Sequence, residues 1–339
     1  MLNQIQQSFW LPARRLYADE ITVGQPTANN PAFMWGCGVQ LSALAAAARL
    51  DRKNWEAPLR QYVTGLDSYW VVSNEIGGYD VLPEARSLDR YYDDNEWIAL
   101  ALCDVFDLLP EEQYRRRAIK TFQFVLSGGD AKLGGGIYWH EQDRKSKNTC
   151  SNGPAAVAAL RLYQITADRR YLDIGRKVYD WTNAHLQDTD GLYFDNIKLD
   201  GSVEKTKWSY NTALMLRANC LLYALTHESR YLTEAQRVGH AAVAHWVRQD
   251  TGAISDGGAF AHLLSEAFLA LYDQDRDGYW LTTVRQALAF LHDKARDTRG
   301  YYAENWATVQ TTPLMKVKLL TQAAAARAFL TAAHYAANP

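Results

Sequence analysis

The sequence contains few residues of the kinds that cross-link a chain, attract polyanions or anchor a protein in lipid. Its four cysteines, at 37, 103, 150 and 220, form no C-x-x-C pair, which argues against a zinc site and thioredoxin-type redox chemistry. The 36 Lys and Arg are balanced by 38 Asp and Glu, so no excess of positive charge is available for nucleic acid. No apolar run approaches the roughly 20 residues that cross a bilayer. We expect buried free thiols in a globular protein that binds neither nucleic acid nor membrane.

Several common catalytic motifs are also missing. There is no H-E-x-x-H zinc motif, no G-x-S-x-G nucleophile turn, no phosphate-binding loop and no G-x-G-x-x-G. The segment DQDRDG at 273–278 resembles half of a calcium loop, but Val284 stands where a bidentate Glu is required. We interpret that segment as a solvated turn and helix N-cap, and we expect no metal and no cofactor.

The N-terminal residues MLNQIQQSFWLPARR lack the basic start and the apolar run of a secretory signal. As written, the chain is expected in the cytoplasm, or outside it if a leader has been removed. We expect a monomer.

Apolar residues make up 48% of the 339 residues, and their spacing predicts helices along most of the chain and no strand. The twelve predicted helices cover 3–18, 35–50, 54–70, 94–109, 111–126, 151–165, 168–186, 208–225, 229–249, 260–272, 279–296 and 314–336. Even-numbered helices are poor in charge and apolar on all sides, whereas odd-numbered ones have a polar face, which indicates alternating buried and surface helices.

Loops with glycine and usually aromatic residues precede the even-numbered helices and recur roughly every 50–60 residues, which is typical of repeated helical hairpins. Six hairpins form either an open superhelix or a closed (α/α)6 barrel. The last predicted helix is Ala-rich and looks buried rather than polar, so we expect an all-α closed barrel over residues 1–339 as one domain. All these loops then lie on one rim, where the inner helices present their positive N-termini among aromatic side chains. Such a rim suits a carbohydrate or an anion.

The segment YYDDNEW at 91–97 opens the fourth, inner helix with two carboxylates, Asp93 and Asp94. Two carboxylates about 5–5.5 Å apart are what a retaining glycosidase needs as nucleophile and acid/base. An Asp at a helix start is also an ordinary N-cap, but a cap needs only one. Hydroxyl-binding residue types recur at the same rim, namely Lys147, Asn148, Asn152, Tyr210 and Asn211.

Four segments together resemble glycoside hydrolase family 76, the endo-α-1,6-mannanases: YYDDNEW at 91–97, GGGIYW at 134–139, KNTCSNG at 147–153 and Tyr-Asn at 210–211. The resemblance covers roughly residues 30–310. It implies an (α/α)6 barrel and cofactor-free retaining hydrolysis of α-1,6-linked mannan or manno-oligosaccharides. It also implies that Asp93 is the nucleophile and Asp94 the general acid/base.

The resemblance further implies a sugar cleft lined by Trp35, Asn95, Trp139, Asn148, Asn152 and Tyr210. Tyr92, Lys147 and Asn211 complete the candidate substrate-binding residues. Two features depart from the family pattern: Tyr-Asn is followed by Thr212 and Ala213, and 260–264 reads FAHLL where Phe-Lys-Gly is expected. Both leave the exact substrate open.

Elementary electrostatics predicts different pKa values for the carboxyl groups of Asp93 and Asp94. The helix N-terminus favours the anion of Asp93, whereas the charge of Asp93 raises the pKa of Asp94. The alternatives to hydrolysis are mannosyl transfer to another sugar, a non-catalytic glycan-binding barrel, and an epimerase that uses His140 or His262 as base.

Overall fold

The computed structural model describes residues 1–84 and 88–335, and those ranges contain twelve α-helices. They are α1 (Leu2–Phe9), α2 (Met34–Leu50), α3 (Arg52–Leu66), α4 (Tyr92–Leu108), α5 (Glu112–Leu126), α6 (Thr149–Thr166), α7 (Arg169–Leu186), α8 (Ser209–Thr226), α9 (Ser229–Trp246), α10 (Gly258–Asp275), α11 (Gly278–Lys294) and α12 (Leu319–Ala333). None of them is long and apolar enough to cross a membrane.

The helices form two concentric rings, which confirms the predicted (α/α)6 barrel. Each even-numbered helix packs against the next one, and α12 packs against α2, so the inner ring is closed. Every outer helix packs on an inner one, as α7 does on α6. The burial follows the predicted alternation: residues 149–160 of α6 are all buried, whereas α7 buries only one face.

Tight turns join the inner helices to the outer ones. Ala167, His227 and Arg276 each take a left-handed conformation with φ of 56–57° at the end of an inner helix. In the last of these turns, the Asp277 side chain accepts a hydrogen bond from the backbone N–H of Tyr279, at 2.9 Å. This confirms the interpretation of DQDRDG as a turn and N-cap. All four cysteines are buried and free, as predicted.

The prediction of no strands is wrong for the rim loops. The described ranges contain β1 (Trp10–Leu11), β2 (Leu16–Tyr17), β3 (Glu20–Thr22), β4 (Trp70–Ser73), β5 (Ile76–Tyr79), β6 (Ser146–Asn148), β7 (Asn196–Lys198), β8 (Val203–Glu204) and β9 (Lys316–Lys318). All pairings are antiparallel: β1–β2, β3–β9, β4–β5 and β6–β7–β8. Strands of two to four residues are too short to show an alternating pattern in the sequence.

Two predicted helices are shorter than expected. The first ends at Phe9 instead of residue 18, because β1 and β2 turn the chain back on itself. The last begins at Leu319 instead of 314, because β9 pairs with β3 and so joins the two ends of the chain, with Ile21 opposite Val317. Its predicted end at 336 lies outside the described residues.

A buried arginine on α12 ties the inner ring together. The Arg327 guanidinium donates to Glu266 of α10 at 2.8 Å and to the backbone carbonyl of Ser42 in α2 at 2.9 Å. It also lies 3.4 Å from Asp104 of α4. The side chains of Arg327 and Glu266 are only 12% and 6% exposed, so solvent screens this pair weakly.

The remaining two inner helices join the same network. Arg161 of α6 lies 3.2 Å from Asp104, and Arg217 of α8 lies 3.7 Å from Glu266. Asp107 also pairs with Arg161. Three arginines and three carboxylates thus balance one another and link all six inner helices beneath the rim.

We expect Arg327→Met to lower the free energy of unfolding by roughly 3 kcal/mol, because it leaves buried carboxylates with reduced compensation. Denaturant titration measures this change. Arg169→Met is the control, since Arg169 makes only an exposed pair with Asp173, worth at most ~1 kcal/mol. Equal losses in the two variants would contradict the role given to the buried network.

Candidate active site

A cleft of about 600 Å³ opens at the rim where the inner helices begin. It is lined by Phe33, Trp35, Val81, Asp89, Tyr91, Asp93, Asp94, Trp97, Trp139, Ser146, Asn148, Cys150, Asp195, Asn196, Tyr210 and Phe260. These residues come from the starts of α2, α4, α6, α8 and α10 and from the loops before them. The cleft is therefore formed by the starts of several inner helices and not by one segment of the chain.

Asp93 and Asp94 lie in the first turn of α4, and neither is the helix N-cap. That position belongs to Tyr91, whose side chain makes no capping hydrogen bond. Asp93 Oδ1 accepts from the backbone N–H of Asp94 at 3.0 Å, and Asp93 Oδ2 accepts from Trp139 Nε1 at 3.0 Å. Both carboxyls line the cleft. Helix capping thus does not explain the pair.

The Asp93 carboxyl has a higher pKa than the helix N-terminus alone suggests. Burial raises the pKa of Asp93 to about 6, although the hydrogen bonds from Trp139 and from the backbone of Asp94 act in the opposite direction. The expectation that the helix N-terminus keeps this group readily ionised is wrong in direction, because loss of hydration outweighs the helix dipole here.

The Asp94 carboxyl is held in its protonated form more strongly. Burial raises the pKa of Asp94 well above its usual value, and the charges of Asp93 and Asp89 raise it further. Because the two neighbours titrate as a pair, the first proton to leave the pair comes mainly from Asp93. The predicted order of the two carboxyls therefore agrees with the structure.

Aromatic rings form the wall of the cleft. Phe260 stacks on Tyr210 with ring centroids 4.4 Å apart and on Trp35 at 5.6 Å. Trp139 is 41% exposed and points the N–H edge of its indole at Asp93. Flat aromatic surfaces beside carboxylates suit the apolar faces and hydroxyl groups of a pyranose ring.

Of the predicted substrate-binding residues, Trp35, Trp139, Asn148 and Tyr210 line the cleft with the aspartate pair. Asn95 and Asn152, which were expected in the cleft lining, lie outside it. Both are fully buried and hydrogen-bond to the backbone of the preceding loop: Asn95 pairs with Tyr79, and Asn152 with Ile137. Their side-chain amides hold the rim loops in place, and these hydrogen bonds engage the groups that would otherwise bind a substrate.

Three further predicted contacts also lie away from the cleft. Tyr92 is fully buried and stacks on Phe124, with ring centroids 4.9 Å apart. The Lys147 ammonium is buried against Asp130, at 2.7 Å, on the other side of the loop. Asn211 is fully buried and is not among the residues that line the cleft. Successive side chains of a strand point to opposite faces, so Lys147 points away from the cleft while its neighbour in β6, Asn148, faces it.

The motifs did not single out two carboxylates that line the cleft. Asp89 lies just before α4, and Asp195 lies just before β7. Burial raises the pKa of Asp195. The only sequence signal for these two carboxylates is their position in loops that lead into inner helices. Phe260, the first residue of the segment FAHLL, completes the aromatic wall.

Metal ligation finds no support in the parts of the chain that the structure describes. Within residues 1–84 and 88–335, no group of three or more His, Cys, Asp or Glu side chains is arranged to hold a metal ion.

A helical barrel with paired carboxyls at the base of an aromatic cleft defines a carbohydrate-active enzyme. The sequence profile of glycosyl hydrolase family 76 matches residues 14–339. The chain belongs to this family.

Two solved structures are closely similar in fold. A GH76 alpha-mannanase from Bacteroides thetaiotaomicron superposes with a TM-score of 0.93 at 33% identity, over 99% of this chain and 94% of that one. An inactive variant of the alpha-1,6-mannanase of Salegentibacter sp., in complex with alpha-1,6-mannotriose, gives a TM-score of 0.83 at 22% identity, over 98% and 97% of the two chains.

A curated relative is similar over a shorter stretch. The mannan endo-1,6-alpha-mannosidase DCW1 of Candida glabrata is 35% identical over 128 residues, which is 34% of this chain and 28% of that protein. The matched stretch therefore spans less than a third of the relative's length.

We expect Trp139→Phe to raise the lower pKa of the aspartate pair by roughly one unit, because it removes a hydrogen bond that stabilises the Asp93 anion. Carbon NMR titration of the carboxyl groups measures this change. Trp208→Phe is the control, since the Trp208 ring contacts Phe260 and leaves the pair untouched. An unchanged lower pKa in Trp139→Phe would show that this hydrogen bond does not tune Asp93.

Proposed function

We propose that this protein hydrolyses α-1,6-mannosidic linkages in mannan or manno-oligosaccharides with retention of anomeric configuration, and that the barrel acts as one catalytic domain. The observation that carries the proposal is the pair Asp93–Asp94, two adjacent cleft carboxyls with unequal affinity for the proton. Enzymes that use one carboxyl as acid and another as nucleophile separate their pKa values in this way.

The substrate class rests on the relatives. The curated relative is a mannan endo-1,6-alpha-mannosidase, and one similar structure is an alpha-1,6-mannanase in complex with alpha-1,6-mannotriose. In that inactive variant, two neighbouring aspartates have been replaced by asparagine. The pair in this chain is the corresponding candidate.

In the first step, Asp94 in its neutral form donates its proton to the glycosidic oxygen as the bond to the anomeric carbon breaks. The Asp93 carboxylate attacks that carbon from the opposite face and forms a glycosyl ester. The leaving sugar departs as a neutral alcohol, so Asp94 is left ionised.

In the second step, Asp94 takes a proton from a water molecule that attacks the anomeric carbon. The ester bond breaks, Asp93 returns to its carboxylate form and the sugar leaves with its original configuration. Each residue ends in the protonation state in which it started, so no cofactor is needed.

The surroundings of each carboxyl support these roles. Asp93 accepts two hydrogen bonds that favour its anion, as a nucleophile requires. Burial, helped most by the neighbouring charge of Asp93, raises the pKa of Asp94 and keeps its proton available for the leaving oxygen. The resemblance to family 76 assigns the same roles.

Retention rests on the short distance between the two residues along the chain. Neighbouring Cα atoms are 3.80 Å apart, and their side chains diverge by about 100° on a helix. Two Asp side chains from such positions reach the ~5 Å separation of retaining enzymes more readily than the ~6.5–9.5 Å that an inverting enzyme needs for an intervening water.

We expect Asp93→Asn and Asp94→Asn each to reduce hydrolysis of linear α-1,6-mannan by at least ~10³-fold, because each variant removes a reacting group while preserving the shape of the side chain. Chromatography of the products measures the rates, and circular dichroism checks the fold. Glu304→Gln, which removes an exposed carboxylate from the same rim, is the control.

Near-full activity of either aspartate variant would refute its assigned role. No cleavage of linear or branched mannan by the unaltered protein would refute the substrate class. New, longer oligosaccharides instead of shorter ones would show that the protein transfers mannosyl units rather than hydrolysing them.

A further inference from the structure

Asp89 is a third carboxylate in the cleft, and its backbone is firmly held. Its N–H donates to the Asp80 carboxylate at 3.0 Å, and its carbonyl accepts from the backbone N–H of Val81 at 3.1 Å. Asp80 is itself buried. The Asp89 side chain is 44% exposed and lines the cleft. The backbone of Asp89 is thus held by hydrogen bonds, and its carboxylate is open to a ligand.

His140 fixes the direction of the Asp89 carboxylate. The His140 Nε2 atom lies 2.8 Å from Asp89 Oδ1, and His140 Nδ1 accepts from the backbone N–H of Asp143 at 3.0 Å. With Nδ1 acting as an acceptor, the ring proton is on Nε2 and is donated to Asp89. The Tyr91 ring packs on the imidazole with centroids 4.3 Å apart. The pair is thus pre-organised before any ligand arrives.

Asp89 enters the cleft from the loop that leads directly into α4, the helix that carries Asp94 in its first turn. The charge of Asp89 also contributes to the raised pKa of Asp94. The other additional carboxylate, Asp195, lies in the loop before α8 instead. Since the proposed general acid faces the leaving oxygen, a carboxylate beside it is placed to meet the sugar that departs in the first step.

A carboxylate with one oxygen held by histidine retains lone pairs for further donors. Hydroxyl groups of a sugar donate readily to a carboxylate, and such charge-assisted hydrogen bonds are the strong ones. A fixed acceptor beside the general acid would hold the leaving sugar so that its glycosidic oxygen meets the Asp94 proton.

We propose that Asp89 accepts hydrogen bonds from the hydroxyl groups of the leaving sugar, and that His140 is the positioning residue that orients it. This inference rests on the proposed function, because it requires a general acid at Asp94. It assigns a leaving-group subsite for a hydroxyl-bearing sugar unit to the Asp89–His140 pair.

Two substrates with the same mannosyl part but different leaving groups test this subsite. One is an α-1,6-manno-oligosaccharide, whose leaving group is a sugar. The other is the matching methyl α-glycoside, whose leaving group is also a simple alcohol that needs the proton of Asp94 but carries no further hydroxyl groups. For Asp89→Asn we expect kcat/KM to fall roughly 10- to 100-fold for the oligosaccharide, the order of one hydrogen bond to a charged group, and to stay within about threefold for the methyl glycoside.

Two substitutions at His140 distinguish its hydrogen bond to Asp89 from its packing in the loop. His140→Gln keeps an N–H donor near the Nε2 position, whereas His140→Leu removes it. We expect His140→Leu to show the same selective loss as Asp89→Asn, and His140→Gln to recover most of it. Asp200→Asn, which removes an exposed carboxylate from the turn between β7 and β8, is the control.

Equal losses on both substrates would overturn the inference, since they would place Asp89 in the bond-breaking chemistry or in folding. Unchanged kinetics on both substrates would overturn it as well, and so would identical behaviour of His140→Leu and His140→Gln. If the unaltered protein cleaves neither mannan nor the oligosaccharide, the proposed function itself fails, and that result is distinct from a failure of the variants.

Discussion

The rim depends on one repeated interaction, in which the fourth residue of an inner helix hydrogen-bonds to the backbone of the loop that precedes the helix. The pairs are Asn95 with Tyr79, Asn152 with Ile137, Thr212 with Tyr193 and Gln322 with Tyr302. In each case the loop residue follows two positions after the glycine that marks the repeat. The side chain thus ties four of the five glycine-containing loops to their helix starts, whereas α10 carries Ala261 at the corresponding position. The first turns of the same helices remain free to carry the carboxyls and rings of the cleft.

Most of the fold could be predicted from the sequence, because charge and burial alternate with the helices in a regular way. The errors fall where strand pairing decides the limits of a helix. The first helix stops at Phe9 because β1 and β2 fold back, and α12 starts late because β9 meets β3. The β1–β2 pair spans only two residues on each side, too few for an alternating pattern, and the β3–β9 pair joins the two ends of the chain, which no local pattern reveals. The charge network around Arg327 is equally invisible in the sequence, because its members come from six different helices.

The site could be predicted only in part, and residue type alone did not separate ligand contacts from loop contacts. Asn148 and Asn152 are both polar and both near the start of α6, yet only Asn148 faces the cleft. Position within the helical turn decides between them, and the repeated contact with the loop is the signal that identifies Asn152 as structural. The direction of the Asp93 pKa was missed for another reason. A helix N-terminus is visible in the sequence, whereas the burial that outweighs it exists only once the chain has folded around Asp93.

The central claim is that two adjacent carboxyls perform a double displacement, with Asp93 bonded to the sugar between the steps. The stereochemistry of the first product tests it most directly, because direct attack by Asp93 followed by water restores the original configuration. Proton NMR of the earliest products from α-1,6-mannan should show α-mannose reducing ends before mutarotation. Initial release of the β anomer would contradict the account, since inversion requires water to attack first and another group to act as its base.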